Sequence, residues 1–340
     1  MSDLPKLGID IGNSTIKLVE LVPTGKGKWR LVTAASINSV KGGISGGSAN
    51  LPGISGALIK LIKESGAKSR RTIAALPEEQ VSSHVVEMPI MKDEELKQAL
   101  QWQVEQYIPI PAEKAVWSHQ VISKNEGTGS MEVLLVAAAK NLVNSYMQVL
   151  EQAGLSVEAM ETELTATARS VTSIDSPLSV VVDIGSKSSD LGIISHGQLM
   201  FARTIPTAGE SFTRAIETAL GLDMTQAEEY KNTYGFSANQ LGGKLVEAMK
   251  PVLNVIATEV KKTVDFYLSK HAGETVKFVT LSGGIATLPD IVGILSSVLG
   301  VEVVIGNPFE KVTMSEQQNK MLAGSGSFYA VATGLSMREL

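Results

Sequence analysis

Apolar and polar side chains alternate along two separate parts of the chain. Residues 6–22 place apolar positions on either side of a four-residue turn at 12–15, which predicts a β-hairpin. An apolar strand at 179–184 opens the second half, and strand-like runs follow at 191–194 and 199–205. Both halves therefore begin with a strand, a turn and a second strand.

The remaining segments alternate between strand and helix patterns, as in α/β proteins. Apolar residues three and four positions apart predict helices around 58–62 (ending at Gly66) and at 93–107, 142–152, 210–220, 225–234, 244–270 and 290–299. Short apolar runs predict strands at 31–40, 72–76, 81–87, 131–138, 278–281 and 301–305. Residues 42–53 are expected to form a loop. Asp93 is expected to cap its helix, and Pro251 either to kink the longest helix or to begin its main part.

Composition narrows the classes of function. The 340 residues suffice for about two domains, and 44% apolar against 19% charged residues is typical of a globular protein. A net charge of −5 argues against a dominant nucleic-acid or anionic-lipid surface. The absence of cysteine excludes disulfides, thiolate metal sites and thiol catalysis, and the four histidines form no HxxxH pair.

Membrane-spanning and targeting signals are also missing from the pattern. No apolar run reaches the ~18–20 residues that cross a bilayer. The N-terminus lacks the basic segment and long apolar core of a signal peptide, and the C-terminus lacks a basic amphipathic tail. We therefore expect a cytoplasmic protein without direct membrane insertion.

The two opening turns carry matching chemistry. The first reads Asp-Ile-Gly-Asn-Ser-Thr at 10–15, and the second reads Asp-Ile-Gly-Ser-Lys-Ser-Ser at 183–189. Glycine allows a phosphate to approach the backbone, and the N–H groups and hydroxyls of such turns are donors to an anion. The aspartate at the end of each strand can hold Mg²⁺, usually through water. One such turn is weak evidence, but two at matching points of two half-chains predict a phosphate site.

A third turn follows an apolar strand late in the chain. Ser282, Gly283 and Gly284 come directly after the strand and lead toward a helix. The paired glycines suit close approach to a nucleoside, although alone they would indicate only a strand-to-helix turn.

These three turns, in this order, resemble the phosphate-1, phosphate-2 and adenosine motifs of the actin-like ATPase superfamily. The segments 76–89 and 103–111, the latter reading QVEQYIPIP, resemble the type IV pilus assembly protein PilM family. The resemblance extends over nearly the whole chain. This resemblance implies an α/β, actin-like two-lobe (ribonuclease H-like) fold with a small inserted α+β subdomain. The first lobe would be 1–175, with the insertion at about 78–157. The second lobe would be 176–329, and residues 330–340 would return to the first.

The resemblance also implies ATP and Mg²⁺ as ligands and assigns a role to individual residues. Asp10 and Asp183 would flank Mg²⁺ and hold it through water, and Lys17 would reach a phosphate oxygen. Glu163 would lie near the attacking water, although it could equally be structural. The remaining residues expected to bind the nucleotide are Gly12, Asn13, Ser14 and Thr15 in the first turn, Gly185, Ser186, Lys187, Ser188 and Ser189 in the second, Glu228 and Lys231 at the ribose and adenine, and Gly283 and Gly284 at the adenosine. For Glu228 and Lys231, plain solvated helix charges are the alternative.

Two departures from the family pattern weaken the expectation of turnover. Ser186 and Lys187 stand where strong phosphate-2 turns often carry glycines, and side chains there make the loop less permissive. Leu164 stands where the family often has proline. We expect nucleotide binding with at most weak ATPase activity.

The function that the resemblance implies is an ATP-binding scaffold of the inner-membrane platform of a type IV pilus or related secretion system. It would bind the cytoplasmic N-terminus of a PilN-type membrane protein and reach the inner membrane through it. Other platform proteins are further candidate partners, and nucleic acid is not. One alternative is a filament-forming cell-division ATPase of the FtsA kind, against which the missing basic C-terminal helix argues. The other is a small-molecule kinase, for which we find no convincing catalytic aspartate.

Overall fold

A computed structural model describes residues 4–108, 110–271 and 273–339. Residues 1–3 of the predicted first lobe, Pro109 of the QVEQYIPIP segment, Ala272 of the predicted second lobe and the terminal Leu340 lie outside the described residues. The strands are β1 (Lys6–Ile11), β2 (Thr15–Gly25), β3 (Lys28–Asn38), β4 (Arg71–Leu76), β5 (Val81–Pro89), β6 (Ala115–Asn125), β7 (Ser130–Ala139), β8 (Ser156–Thr162), β9 (Ser179–Ile184), β10 (Ser189–Ser195), β11 (Gln198–Ile205), β12 (Phe278–Ser282), β13 (Glu302–Ile305) and β14 (Val312–Thr313). The helices are α1 (Leu51–Ser65), α2 (Asp93–Tyr107), α3 (Lys140–Gln152), α4 (Glu163–Val171), α5 (Gly209–Leu220), α6 (Met224–Tyr234), α7 (Lys244–Lys270), α8 (Ile291–Leu299), α9 (Glu316–Leu322) and α10 (Ala330–Ser336).

A six-stranded sheet with the order β14-β3-β2-β1-β4-β8 forms the first lobe. Strands β1, β2 and β3 are antiparallel neighbours, whereas β1, β4 and β8 are parallel. Every residue of β1 is buried because α1 and α3 contribute to the core on one face and α10 covers the other. A Cβ atom on Gly8 would lie 1.9 Å from the carbonyl oxygen of Ala332, so only glycine allows α10 to lie this close to β1.

A five-stranded sheet with the order β11-β10-β9-β12-β13 forms the second lobe. Strands β9, β12 and β13 are parallel, and β9, β10 and β11 form an antiparallel meander. Helices α5, α7 and α8 pack their apolar side chains on one face, around the fully buried Phe212. On the other face, Leu164 and Ala168 of α4 pack against Val181 of β9. The same helix contacts the first lobe through Ala166, so α4 lies between the two sheets.

A third, antiparallel sheet with the order β5-β7-β6 is not hydrogen-bonded strand to strand with the other two, although β5 contacts β11 of the second lobe. Leu96 and Leu100 of α2 pack on its apolar face against Val86 and Met131. The strand pairing of this subdomain runs from Val81 to Ala139, between β4 and α3 of the first lobe. An exposed strand edge therefore remains on each side, at β5 and at β6.

The predicted hairpins at 6–22 and 179–194 are confirmed by the antiparallel pairing of β1 with β2 and of β9 with β10. Two local predictions are wrong. Helix α1 begins at Leu51, inside the predicted loop 42–53, and Asp93 is the first helical residue of α2 while Lys92 is its N-cap. Helix α7 runs from Lys244 to Lys270 with Pro251 inside it, on the exposed side where the unpaired carbonyl group one turn earlier can reach water.

No helix in the part of the chain that the structure describes combines the length and apolar character needed to cross a membrane.

Candidate functional site

The site is built at the carboxyl ends of parallel strands from both lobes. Asp10 is the next-to-last residue of β1, Glu78 follows β4, and Glu163 follows β8, so three carboxyl groups lie at the carboxyl ends of parallel strands of the first-lobe sheet. Asp183 takes the corresponding place at the end of β9. The hydroxyl of Ser14 lies 2.7 Å from that of Ser186, so the two opening turns meet between the lobes.

The two turns have the same backbone geometry. The amide of Gly12 donates to the carbonyl oxygen of Thr15 at 3.0 Å, and the amide of Gly185 donates to that of Ser188 at 3.0 Å. Each aspartate faces a residue of the neighbouring strand, but the partners differ: Asp10 is opposite Lys17, and Asp183 is opposite Asp190.

Lys17 forms an ion pair at the centre of the first hairpin. Its Nζ atom lies 3.0 Å from Oδ2 of Asp10, and the two side chains are 14% and 4% exposed. Burial acts to lower the pKa of Lys17, but Asp10 and then Asp183 act against it and raise the pKa above its ordinary value. The ammonium group therefore stays charged, and it lies 4.5 Å from the centre of the Phe328 ring.

The second hairpin instead brings two buried carboxyl groups together. Burial raises the pKa of Asp183, while Lys17 and Ser282 act in the opposite direction. Burial and the neighbouring Glu78 raise the pKa of Asp190 well above its ordinary range, although the Thr204 hydroxyl donates to Oδ1 of Asp190 at 2.6 Å.

Glu163 and Glu78 are linked by two hydrogen bonds, each from a backbone amide to a side-chain carboxyl oxygen. The amide of Glu78 donates to Oε2 of Glu163 at 3.1 Å, and the amide of Leu164 donates to Oε2 of Glu78 at 3.2 Å. Burial raises the pKa of Glu78 to about 7. Burial, followed by the charges of Asp10 and Asp190, raises the pKa of Glu163 well above its ordinary range. Glu163 therefore favours its protonated form, which can donate a proton but is a poor base.

Glu228 and Lys231 lie on α6, where they contact α5. The Nζ atom of Lys231 lies 2.6 Å from Oε2 of Glu228 and 2.9 Å from the Thr213 hydroxyl. Lys231 is almost wholly buried and also donates to the carbonyl oxygen of Gly209 at 3.3 Å. Gly209 in turn donates its amide to Gly185 at 3.1 Å, so this lysine supports the second turn from behind. Glu228 remains half-exposed; burial acts to raise its pKa, but Lys231 and Thr213 lower it overall.

The Gly283–Gly284 turn packs directly on the end of β9. Gly283 has a φ of +84°, and a Cβ atom there would lie 2.5 Å from the carbonyl oxygen of Ile184 and 2.9 Å from Oδ1 of Asp183. Only glycine fits this position, so the third turn closes against the second.

The structure separates the remaining predicted residues into two groups. Ser189 is buried and donates its hydroxyl to the carbonyl oxygen of Thr207 at 2.6 Å, so that hydroxyl is turned toward its own lobe. Lys187 is exposed, and the Ser186 hydroxyl also contacts Glu210 at 3.2 Å. The residues that are brought together between the lobes are Asp10, Gly12, Ser14, Lys17, Glu163, Asp183, Gly185, Ser186, Gly283 and Gly284, and Asn13, Thr15 and Ser188 complete the two turns.

Sequence reasoning missed Glu78, Asp190 and Phe328. The available signal for Glu78 was its position just after β4, a strand that the pattern predicted, and directly after Pro77. For Asp190 the signal was the hairpin register, since it stands as far beyond its turn as Lys17 does beyond the first. Phe328 had no local signal, because its neighbours in space come from both ends of the chain.

The donor set fits a hydrated cation better than a directly ligated one. Among residues 4–108, 110–271 and 273–339, no group of three or more His, Asp or Glu side chains is arranged to hold a metal ion. Asp10 and Asp183 are nevertheless close enough for each to influence the pKa values around Lys17. Carboxylates of this kind suit Mg²⁺, which keeps several of its waters.

Comparison with known proteins decides the family. The family model described as type IV pilus assembly protein PilM matches residues 8–340. The chain belongs to this PilM family. A solved structure titled "PilM-PilN type IV pilus biogenesis complex" is 27% identical, with a TM-score of 0.84 over 98% of both chains. The predicted membership and the predicted actin-like two-lobe fold are confirmed.

More distant relatives agree on the fold. Cell division protein FtsA of Escherichia coli (strain K12) is 23% identical over 258 residues, which are 66% of this chain and 60% of FtsA. This chain therefore spans less than two thirds of the FtsA relatives at the head of the comparison. MreB5 of Spiroplasma citri, solved with AMPPNP bound, is 14% identical with a TM-score of 0.51 over 97% of this chain and 94% of its own. At such identity it supports the fold alone.

Proposed function

We propose that this chain is an ATP-binding, actin-like scaffold of the type IV pilus assembly platform, and that it binds the N-terminal peptide of a PilN-type membrane protein. The observation that carries the proposal is the likeness, over 98% of both chains, to the PilM subunit fold of the PilM–PilN complex. The chain would act in the cytoplasm and reach the inner membrane through this partner.

The nucleotide would lie between the two matching hairpins. The amides and hydroxyls of residues 12–15 and 185–188 are suited to its phosphates, and Lys17 supplies a positive charge beside them. Asp10 and Asp183 would hold Mg²⁺ through water, and the ion would neutralise phosphate charge when bound. Because the hydroxyls of Ser14 and Ser186 are in contact, this hydrogen bond must open when a nucleotide binds between the two turns. The AMPPNP in the MreB5 structure supports an ATP-type ligand for this fold.

Rapid hydrolysis is not part of the proposal. The raised pKa of Glu163 favours the protonated form of the carboxyl group that would activate water, which makes it a poorer base. Ser186 and Lys187 also restrict the second turn. We infer that bound ATP acts as a ligand that sets lobe closure, with at most weak ATPase activity.

The partner peptide would enter the groove between the inserted sheet and the first lobe. This groove encloses about 660 Å³ and is lined by Ser118–Gln120 of β6, Leu134 and Val136 of β7, Met160–Thr162 of β8, Thr165 and Arg169 of α4, and residues 337–339, with Trp29 and Gln198 at its rim. Strands β6 and β8 are both edges of their sheets, so their unpaired backbone groups can bind an extended peptide.

The floor of the groove is fixed by an ion-pair network. Glu161 accepts from Arg169 at 2.7 Å and from Arg338 at 3.0 Å. Arg169 also donates to the carbonyl oxygen of Gly334 at 2.9 Å, which ties α4 to α10. Both helices lead from this groove back toward the cleft, because α4 begins at Glu163 and α10 follows Phe328. Lobe closure can therefore change the shape of the groove.

Calorimetry with Mg-ATP tests the nucleotide part of the proposal. We expect binding and a rise in Tm for the wild-type chain, and loss of both for Asp183→Ala. Asp175→Ala, at an exposed carboxylate, is the control that should bind normally. Absence of wild-type binding, or equal behaviour of the two variants, would refute a nucleotide site at these turns.

A peptide from the N-terminus of the PilN-type protein of the same genome tests the partner. It should bind at tens of micromolar or tighter. Val136→Glu, in the groove described above, should weaken binding at least about tenfold. Val85→Glu is the matched control, since Val85 is an equally half-buried valine of the same sheet that lines a different groove. If Val85→Glu alone weakens binding, the peptide occupies the other groove; if wild type fails to bind, the partner is wrong.

A further inference from the structure

A short turn near the C-terminus touches two parts of the candidate nucleotide site. Residues 326–329 form a single 3-10 turn between α9 and α10. The carbonyl oxygen of Ser327 accepts from the amide of Gly283 and from the Ser282 hydroxyl, both at 3.4 Å. The backbone of this turn is therefore attached to the glycine turn that follows β12.

The side chain of Phe328 extends the same connection to the first hairpin. Its ring centre lies 4.5 Å from Nζ of Lys17. Its Cδ2 atom lies 4.0 Å from the position that a Cβ atom on Gly284 would occupy. Tyr329 packs edge-on against the ring at 5.1 Å and an interplanar angle of 86°, which fixes the direction of the ring face. One aromatic ring thus touches the phosphate-1 strand and the adenosine turn together.

The contact with Lys17 is of a kind that suits a phosphate-binding ammonium group. Asp10 already pairs with Lys17, and Asp183 and Glu163 lie within electrostatic reach. A further carboxylate would compete with phosphate for the ammonium group. An aromatic face attracts the cation through its quadrupole but leaves its hydrogen-bond donors free.

We propose that Phe328 is a positioning residue, which holds the Lys17 ammonium group in place for a nucleotide phosphate while its ring backs the adenosine turn. This inference rests on the proposed nucleotide function of the same site. It assigns a specific task to a residue that no motif of the chain contains.

A fluorination series separates this role from simple packing. Phenylalanine carrying one, two and three ring fluorines, placed at position 328 of the full chain, weakens the quadrupole in steps with little change of volume. We expect the Kd for Mg-ATP to rise stepwise, by about three- to tenfold at three fluorines, which corresponds to about 0.6–1.4 kcal/mol of cation–π attraction. The same fluorinated phenylalanines, placed instead of Phe201, which packs against Phe266 on the second lobe, should leave the Kd for Mg-ATP unchanged. A flat series at position 328 would overturn the proposal.

Conventional variants add a check that does not require unnatural residues. Phe328→Trp retains a ring face and should bind Mg-ATP within about threefold of wild type, whereas Phe328→Leu should bind as weakly as the trifluorinated protein. Equal affinities of the two variants would contradict a cation–π role. Binding of Mg-ATP to the wild type is measured first, so that the two proposals stay distinguishable. If the wild type does not bind, the proposed function fails. If it binds and the fluorination series is flat, only the role of Phe328 fails.

Discussion

The two hairpins that meet between the lobes have the same backbone hydrogen bond in their turns but differ in charge. Both place an aspartate one pair before the turn, and both close the turn with a 3.0 Å hydrogen bond from its glycine. In the first hairpin the residue opposite the aspartate is Lys17, and the two form a buried ion pair. In the second it is Asp190, so two carboxylates face each other across the strands.

Because of this difference, the two sides of the cleft carry different charged groups. In the proposed site, the first hairpin would offer a cation to a phosphate, and the second would offer carboxylates to a metal ion. Burial is the main cause that raises the pKa values of Asp183 and Asp190, and nearby carboxylates (Asp10 for Asp183, Glu78 for Asp190) add to it, so their ionised forms are costly without a cation. A difference in one cross-strand partner, Lys17 against Asp190, thus makes the two hairpins complementary halves of the proposed site.

Removing the cation from the first hairpin should have the largest effect. Lys17→Met leaves Asp10 buried without its partner, and we expect the free energy of unfolding at pH 7 to fall by about 3 to 5 kcal/mol. Urea unfolding followed by circular dichroism measures the change. Adding Asp10→Asn to Lys17→Met should restore much of the loss, because the unpaired charge is then removed. An equally unstable double variant would mean that packing, and not charge, holds this hairpin.

The buried carboxyl group of Glu78, near Asp190 of the second hairpin, predicts that the free energy of unfolding depends on pH. Because the pKa of Glu78 is raised to about 7 from 4.5, the folded protein keeps a proton that the unfolded chain releases between these values. Stability should therefore fall as pH rises through this window and level off above it. Glu78→Gln should remove this contribution and raise the free energy of unfolding at pH 8 by roughly 3 kcal/mol.

The neighbouring Glu79 provides the control for this measurement. It is exposed, and its charge acts on Asp190 only as a minor cause, so Glu79→Gln should change the pH profile far less than Glu78→Gln does. Urea unfolding between pH 4.5 and 8 gives the comparison. A Glu78→Gln protein with the same slope as wild type would show that other groups dominate the titration.

A smaller effect is expected inside the second hairpin itself. Asp190→Asn keeps an acceptor for the Thr204 hydroxyl and removes the like charge opposite Asp183. We expect a gain of about 1 kcal/mol in the free energy of unfolding at pH 8, the size of a cross-strand pair, together with weaker binding of Mg-ATP. Thermal unfolding with and without Mg-ATP tests both; a less stable variant would contradict the repulsion.

Local pattern predicted the hairpins and most helices, because their apolar faces repeat within a few residues. It missed β6 and β8, since edge strands are half-exposed and their alternation is weak. It also missed α4 and α10 as helices. Helix α10 is buried on all sides and so has no polar face to reveal its period.

The site was predicted where the motif lies in one segment and missed where the fold assembles it. Asp10, Lys17 and Asp183 each stand beside a recognisable turn. Glu78 and Phe328 reach the cleft only through pairing of β1 with β4 and the return of the chain beside β1. That return begins earlier than residue 330, since Val312 and Thr313 already pair with β3 of the first lobe. No local window contains such information.

The most direct test of one ligand between two matching hairpins is amide hydrogen exchange with and without Mg-ATP. Slower exchange is expected at residues 13–15 and 186–188 together, and at the Gly283–Gly284 turn. The β6–β7 hairpin turn around Gly127 should serve as an unchanged reference. Protection at only one of the two opening turns, or at neither while Mg-ATP is bound, would contradict a nucleotide held between the lobes.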